Sequence, residues 1–198
     1  MKSINNTSPK GYLSWSQLSL FERSPDQYYK QYIQGYSGFN SKYMRLGKRL
    51  AEARERRSDP DPTIDFLAKY MPQYPKREHK IEVNFEGIPL LGKLDGWSPL
   101  TLTIGEDKSG KNFTQRMADK LGQLDMYSTL VWAKHNRKLP VIKLHWAKTI
   151  EIDGIIQFTG EFKTYQTTRT LKDIILFSKR IKVAWSGICE MGKDINKE

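Results

Sequence analysis

The hydrophobic pattern of this 198-residue chain changes its period near residue 75, and no other feature restricts the fold as much. Before that point, two segments open with capping-box sequences, Ser14–Gln17 and Ser24–Gln27, and apolar residues recur at helical spacing. After it, apolar and polar residues alternate through 80–85, and Glu86-Gly87 is a turn signal. A chain that begins with helices and continues into strands is predicted to be a mixed α/β protein.

The same reasoning predicts the order of the elements. Helices are expected near Trp15 and at about 25–34, 42–57, 63–70, 115–135 and 170–185. Strands are expected at about 80–85, 88–97, 100–107, 141–148 and 155–165, the first three as a meander. No repeat or linker divides these elements. We therefore expect one domain over residues 12–198, preceded by a flexible arm over residues 1–11.

The charge of the chain makes a polyanion the first partner to consider. Lys and Arg number 33 against 22 Asp and Glu, a net charge of +11, which suits nucleic acid but also an ordinary solvated surface. The single cysteine, Cys189, excludes an internal disulfide framework and a four-cysteine iron–sulfur cluster. With no apolar run of roughly 20 residues and no hydrophobic signal segment, we expect a cytoplasmic protein that binds no membrane.

Two carboxylates and a lysine are predicted to meet at one end of the sheet. Asp95 lies at the end of the second predicted strand, and the third strand carries Glu106-Asp107-Lys108. Alternate residues of a strand face the same side, so Glu106 and Lys108 point together while Asp107 points away. Carboxylate oxygens are the ligands that Mg²⁺ prefers, and a neighbouring lysine can orient water or offset charge on a phosphate. In so charged a chain, the same spacing can also arise by chance.

The predicted long helix carries a second candidate group. Gln123 and Tyr127 are four residues apart and share a face, with Lys120 one turn earlier. Lys120, Lys111 and Arg116 belong to a basic stretch that could contact phosphate groups. Taken alone, the pattern favours a core tyrosine and a surface glutamine.

Together these motifs resemble those of the PD-(D/E)XK nuclease superfamily, and more narrowly of its RecB-like exonuclease branch. The matching segments, in chain order, are Leu13–Leu18, Ser24–Ile33, Gly47–Glu55, Asp95, Glu106-Asp107-Lys108 and Gln123–Tyr127. The resemblance implies a restriction-endonuclease-like core, in which helices flank a central mixed β-sheet, and a metal-dependent DNA nuclease, which we expect to be an exonuclease. The roles it implies are Mg²⁺ or Mn²⁺ binding for Asp95, Glu106 and the Asp107 carbonyl, catalysis for Lys108, and support of the site or of DNA for Gln123 and Tyr127.

Two positions depart from the pattern of that branch. Where the branch has a histidine in its first motif helix, this chain has Ala51, so Glu55 or Glu52 would have to supply the missing metal ligand. Glu55 shares the face of Ala51 and is preferred, although a surface glutamate paired with arginine explains it equally well. Members with an iron–sulfur cluster have a cysteine where this chain has Ser24, so no cluster is expected.

Three functions stay open at this point. The first is a stand-alone DNA nuclease in recombination, repair or phage DNA processing, and the second is a nuclease fold that binds DNA without cleaving it. The third is a nuclease subunit that works beside a helicase, a recombinase or a single-strand-binding protein, because the sequence has no ATPase motif. Aromatic residues that could stack on unpaired bases, although core packing explains most of them, are Tyr12, Trp15, Tyr28 and Tyr36.

Overall fold

A five-stranded mixed sheet forms the centre of the molecule. The structure is a computed structural model that describes residues 10–38 and 41–194, with side chains as far as residue 192. The strands follow one another across the sheet in chain order: β1 (Lys76–Phe85), β2 (Ile88–Ser98), β3 (Thr103–Gly110), β4 (Val141–Ile152) and β5 (Ile155–Thr168). The β3–β4 pair is parallel and the other three pairs are antiparallel. The predicted mixed α/β fold is confirmed.

Helices cover both faces of this sheet. Those that precede it are α1 (Trp15–Arg23), α2 (Pro25–Tyr28) with a π-helical turn (Tyr29–Ile33), α3 (Lys42–Arg56) and α4 (Pro62–Tyr70). Those that follow β3 are α5 (Gln115–Asp119), α6 (Gln123–Lys134) and the terminal α7 (Leu171–Asp194). Ser14 and Ser24 cap α1 and α2 through their side chains, as the capping boxes predicted. None of the helices within the described ranges has the length and apolarity that a membrane crossing requires.

The two faces of the sheet bury separate apolar clusters. Leu144 and Trp146 of β4 point into the larger cluster, which α1, α6 and α7 complete. Ala147 points to the opposite face, into a smaller cluster with Leu50 of α3 and Leu67 of α4. This alternation along β4 follows the two-residue period of a strand. It places α3 and α4 on one side and α6 on the other, so that the end of β3 lies between them.

Several predicted bounds were wrong. The single helix at 115–135 is broken after Asp119, where the ring of Trp15 occupies the space beside Gly122: a Cβ added there would lie 2.6 Å from it. Strand β3 starts at Thr103 instead of 100 and continues through the turn predicted at 109–111, because it pairs with β4 as far as Gly110. Strand β4 extends past its predicted end at 148 to the turn at 153–154, and β5 extends past 165 to Thr168. Of the predicted arm, residues 1–9 lie outside the described residues.

Candidate active site

Asp95 and Glu106 face each other where β2 and β3 separate. These strands pair through three residue pairs, the last of which is Gly96 with Gly105. Asp95 and Glu106 are the next two residues, so the register places them directly across from each other. The Asp95 Oδ2 atom accepts a hydrogen bond of 2.8 Å from the backbone N–H of Asp107, which bridges the separation and fixes the carboxylate. The predicted proximity of the two acidic residues is therefore observed.

Both carboxylates line a cleft of about 450 Å³, which we call the carboxylate cleft. Helix α3 forms one wall, and β2, β3 and the start of α6 form the rest. Helix α3 lies close to β3 at Gly47, where an added Cβ would be in ordinary contact with the Ser109 Oγ atom at 3.5 Å. The residues that line the cleft from the strands and α6 include Asp95, Glu106, Asp107, Lys108, Ser109 and Gln123.

A chain of hydrogen bonds connects Lys108 to helix α6. The Lys108 ammonium forms an ion pair with Glu106 and donates to the Gln123 Oε1 atom at 2.8 Å. Gln123 Nε2 donates to the Tyr127 hydroxyl at 2.7 Å, and that hydroxyl donates to the Lys93 carbonyl at 2.8 Å. Both ends of the Gln123 amide are therefore bonded, so the position of the Lys108 ammonium is fixed by groups on three elements.

Burial raises the pKa of both carboxyl groups of the cleft. Glu106 is 1% exposed, and its Oε2 atom has no hydrogen-bond partner among the described residues. Burial raises the pKa of Glu106 well above its usual range despite the nearby charge of Lys108. Burial and the charge of Asp107 raise the pKa of Asp95 to about 6. Burial disfavours the charged form of Lys108, but the charge of Glu106 outweighs it and the pKa of the lysine is raised. A further cation beside the carboxylates would favour their ionised forms.

The donor atoms fit a hard divalent cation that keeps much of its water. Within residues 10–38 and 41–192, no three His, Cys, Asp or Glu side chains lie close enough together to hold a metal ion. A metal cage built from side chains alone is therefore absent from this part of the chain. Mg²⁺, however, commonly binds through one or two carboxylates and several waters. The unpaired Glu106 Oε2 atom and the neighbouring Asp95 carboxylate provide such a pair.

The Asp107 side chain points to the opposite face of the sheet, as strand alternation predicts. Its Oδ2 atom lies 2.8 Å from Arg54 Nε of α3 and 2.8 Å from an Nη atom of Arg77 on β1. The Arg54 side chain has no exposed surface, and its Nη2 atom donates to the Pro72 carbonyl at 2.7 Å. Two arginines thus hold the residue whose amide binds Asp95. Sequence reasoning missed both, although Arg54 follows Leu50 by four residues on the buried side of α3, where an arginine needs a partner.

Glu78 is a third residue that sequence reasoning missed. The pairs Arg77–Gly96 and His79–Leu94 place Glu78 opposite Asp95. Glu78 forms an ion pair with Lys93, and its charge adds to burial in raising the pKa of Asp95. Its φ of 50° lies in the left-handed region, which a non-glycine residue rarely adopts within a strand. The strand prediction began at Lys80 and gave no sign of this conformation.

The structure does not bring Glu55 into the carboxylate cleft. Ala51 lines the cleft, whereas the Glu55 side chain is exposed. Four residues advance about 6 Å along a helix, which carries Glu55 beyond the cleft although it shares a face with Ala51. The alternative, Glu52, lies 3.7 Å from Lys48 and 3.9 Å from Arg56. Neither glutamate occupies the place of the missing histidine.

The three basic residues predicted to bind nucleic acid also lie outside the lining of the cleft. Lys120 lines a separate polar pocket beside Asp119, and Arg116 is exposed on α5. Lys111 follows β3 and forms an ion pair of 3.1 Å with Glu151 on β4. All three are exposed, so contact with a nucleic acid that extends past the cleft stays a prediction.

Two solved structures share the fold of this chain. One, a protein from Eubacterium rectale named "Putative exonuclease", has a TM-score of 0.59 and 12% identity over 98% of this chain and 87% of its own. The other, a phage related exonuclease from Haemophilus somnus 129PT, has a TM-score of 0.57 and 14% identity over 84% of this chain and 79% of its own. No protein-family model and no curated protein matches the sequence. At such low identity the likeness shows a common fold.

Proposed function

We propose that this chain is a metal-dependent deoxyribonuclease of the RecB-like branch of the PD-(D/E)XK superfamily, and that it acts as an exonuclease. One observation carries the proposal: Asp95 and Glu106 meet at the separation of β2 and β3, with Lys108 bonded between Glu106 and Gln123. The fold shared with two proteins named exonucleases supports it. The net charge of +11 suits a substrate with a phosphate backbone.

The proposed metal ligands are Asp95, Glu106 and the backbone carbonyl of Asp107. A bound Mg²⁺ or Mn²⁺ supplies Lewis acidity that activates water and neutralises charge on the phosphate. The Asp107 amide already holds the Asp95 Oδ2 atom, which leaves Oδ1 for a cation. Glu106 presents its unpaired Oε2 atom while Oε1 engages Lys108.

Lys108 acts in this proposal as a fixed positive charge and hydrogen-bond donor. Its raised pKa keeps the ammonium charged at neutral pH, so it offsets negative charge that develops on the phosphate and orients water by hydrogen bonding. Gln123 limits where the ammonium can move, and Tyr127 in turn fixes the amide of Gln123. These residues therefore position one charged group and need no proton transfer of their own.

A second function has one specific observation in its favour. The helix position at which the branch has a metal-binding histidine is Ala51, and neither Glu52 nor Glu55 replaces it in the carboxylate cleft. A site with fewer ligands would bind metal more weakly, which suits a DNA-binding module without turnover. It also suits a subunit that cleaves only beside a helicase, a recombinase or a single-strand-binding protein.

An end-labelled cleavage assay separates these functions. Wild type is incubated with linear single- and double-stranded DNA in Mg²⁺, Mn²⁺ or EDTA. We expect short products from one end with metal and none with EDTA. Glu106→Gln and Lys108→Met should abolish cleavage, and the matched control Lys138→Met, at an exposed lysine outside the lining of the cleft, should not. Wild type that binds DNA but leaves it intact with both metals would contradict the nuclease proposal. Cleavage restored by an added motor protein would identify a dependent subunit.

A further inference from the structure

Two large apolar side chains are exposed beside the proposed metal site. Tyr43 is 37% exposed and Met44 is 60% exposed, and both line the carboxylate cleft. They are the second and third residues of α3, whose N-cap is Ser41. Single exposed apolar residues need no explanation, but two adjacent ones in the wall of the cleft that holds the carboxylates indicate a ligand with an apolar part.

Helical spacing aligns this pair with the rest of the cleft wall. The cleft-lining residues of α3 form two adjacent rows, Tyr43, Gly47 and Leu50 in one and Met44, Lys48 and Ala51 in the other. The first row runs from the exposed Tyr43 to Leu50, which is only 3% exposed. A ligand that contacts Tyr43 and Met44 would therefore lie on the same wall that leads to the carboxylates.

The first turn of α3 is anchored to the turn between β4 and β5. The Lys42 ammonium donates to the Gly154 carbonyl at 3.1 Å. The Tyr43 hydroxyl lies 3.5 Å from the Glu151 Oε2 atom, which also accepts from Lys111 at 3.1 Å. The hydroxyl end of Tyr43 therefore lies near β4, while more than a third of the side chain stays exposed. A tyrosine has only two side-chain torsions, so its ring loses little conformational entropy when a ligand packs on it.

The surrounding charge identifies the class of ligand. Lys48 lines the same cleft, and its side chain is 77% exposed. A flat aromatic ring, a polarisable thioether and an adjacent ammonium group suit a nucleotide, whose base stacks on the ring while its phosphate meets the cation. An unpaired base leaves its face open for such stacking, whereas a base inside a duplex is covered by its neighbours.

We propose that Tyr43 and Met44 form a stacking site for one unpaired nucleobase of a DNA strand that enters the carboxylate cleft. The proposal rests on the proposed function only in taking DNA as the substrate. The aromatic residues singled out from the sequence do not provide such a site. Tyr28 is buried in the core, and Trp15 packs against Gly122. Tyr36 and Tyr12 lie outside the lining of the cleft.

The test measures binding without cleavage. A single-stranded oligonucleotide with 2-aminopurine near one end is titrated with protein in EDTA, and both its affinity and its fluorescence are recorded. Stacking on one aromatic ring predicts that Tyr43→Ala weakens binding about 5- to 150-fold and removes the quenching of 2-aminopurine. Met44→Ala should weaken binding in the same direction. Tyr43→Phe keeps the ring and should stay within about twofold of wild type. Tyr70→Ala is the matched control, because Tyr70 is 66% exposed on α4 and does not line the cleft.

Salt dependence and duplex DNA distinguish stacking from charge. Tyr43→Ala should leave the slope of log Kd against log salt concentration unchanged, whereas Lys48→Ala should reduce it by about 1. Binding of a blunt duplex should not respond to Tyr43→Ala. The proposal is overturned if Tyr43→Ala and Met44→Ala both bind the single strand as wild type does, or if Tyr43→Ala weakens blunt-duplex binding to the same extent. None of these readouts requires cleavage, so a failed nuclease proposal would leave them interpretable.

Discussion

Replacing Asp107 with leucine should destabilise the fold strongly, because the change leaves two buried arginines without a partner of opposite charge. Asp107 Oδ2 lies 2.8 Å from both Arg54 and Arg77, and the exposed fractions of the three side chains are 9%, 0% and 12% in that order. Removing one partner of a buried ion pair costs roughly 3–5 kcal/mol. Two uncompensated guanidinium groups place Asp107→Leu at the upper end of that range. Since the free energy of unfolding of a domain is about 5–15 kcal/mol, this loss is a large fraction of the total stability.

Removing all three charges should restore most of that stability. In the triple variant Arg54→Met, Arg77→Met, Asp107→Leu, no charge is left buried without its partner, and apolar side chains of similar length fill the space. Such replacements are often neutral or stabilising. Urea unfolding followed by tryptophan fluorescence should give wild type and the triple variant similar free energies, with Asp107→Leu well below both. If the free energy of unfolding of Asp107→Leu is within about 1 kcal/mol of the wild-type value, Asp107 does not stabilise the two buried arginines and the reasoning is refuted.

The triple variant also tests whether the arginines act on the metal site. The Asp107 amide donates to Asp95, so loosening the Asp107 side chain should disturb a proposed ligand. Changes to groups that orient metal ligands typically weaken metal binding about 10- to 100-fold. We expect at least a tenfold loss of Mn²⁺ affinity by calorimetry in a variant that is as stable as wild type. Unchanged affinity would make Arg54 and Arg77 purely structural.

Three further changes have expected outcomes. Gly105→Ala should lower the free energy of unfolding by roughly 1–3 kcal/mol in urea titrations, because the new Cβ would lie 2.3 Å from the Tyr74 ring; a stability equal to wild type would contradict this packing. Burial lowers the pKa of His145 to about 4, so its neutral form contributes stability above pH 6.5 that is lost as the pH falls towards 4. Between pH 7 and pH 5, wild type should therefore lose roughly 2 kcal/mol more than His145→Gln, and equal losses would refute the assignment. Tyr127→Phe should lower the free energy of unfolding by roughly 1–2 kcal/mol and slow DNA cleavage, because Gln123 loses a hydrogen-bond partner. Urea unfolding measures the first effect and the end-labelled assay the second. An unchanged cleavage rate would mean that the hydroxyl has no positioning role.

The features predicted correctly from the sequence depend on local geometry. Strand alternation alone places Glu106 and Lys108 on one side and Asp107 on the other, because the period of a strand needs no tertiary information. The capping boxes at Ser14 and Ser24 are local in the same sense. The proximity of Asp95 to Glu106 follows once consecutive strands are taken to pair, which is the commonest arrangement.

The features that were missed depend on partners far along the chain. The break between α5 and α6 is associated with the Trp15 ring, which lies in another helix, so the sequence around Gly122 still has a continuous helical period. Arg54 is buried because Asp107 accepts its charge, and no local spacing joins the two. Glu78 adopts a positive φ inside β1, which its residue type does not suggest. These three features become visible only when the tertiary contacts of the folded chain are known.

The separation of β2 from β3 has a mechanical consequence. The two strands share three residue pairs, whereas β3 and β4 share eight, so Asp95 belongs to a hairpin that is joined narrowly to the half of the sheet that carries Glu106. A small change in the angle between these halves alters the gap between the two carboxylates. If both carboxylates held a cation, its binding would therefore also stabilise the angle between the two halves of the sheet, at the junction of β2 and β3.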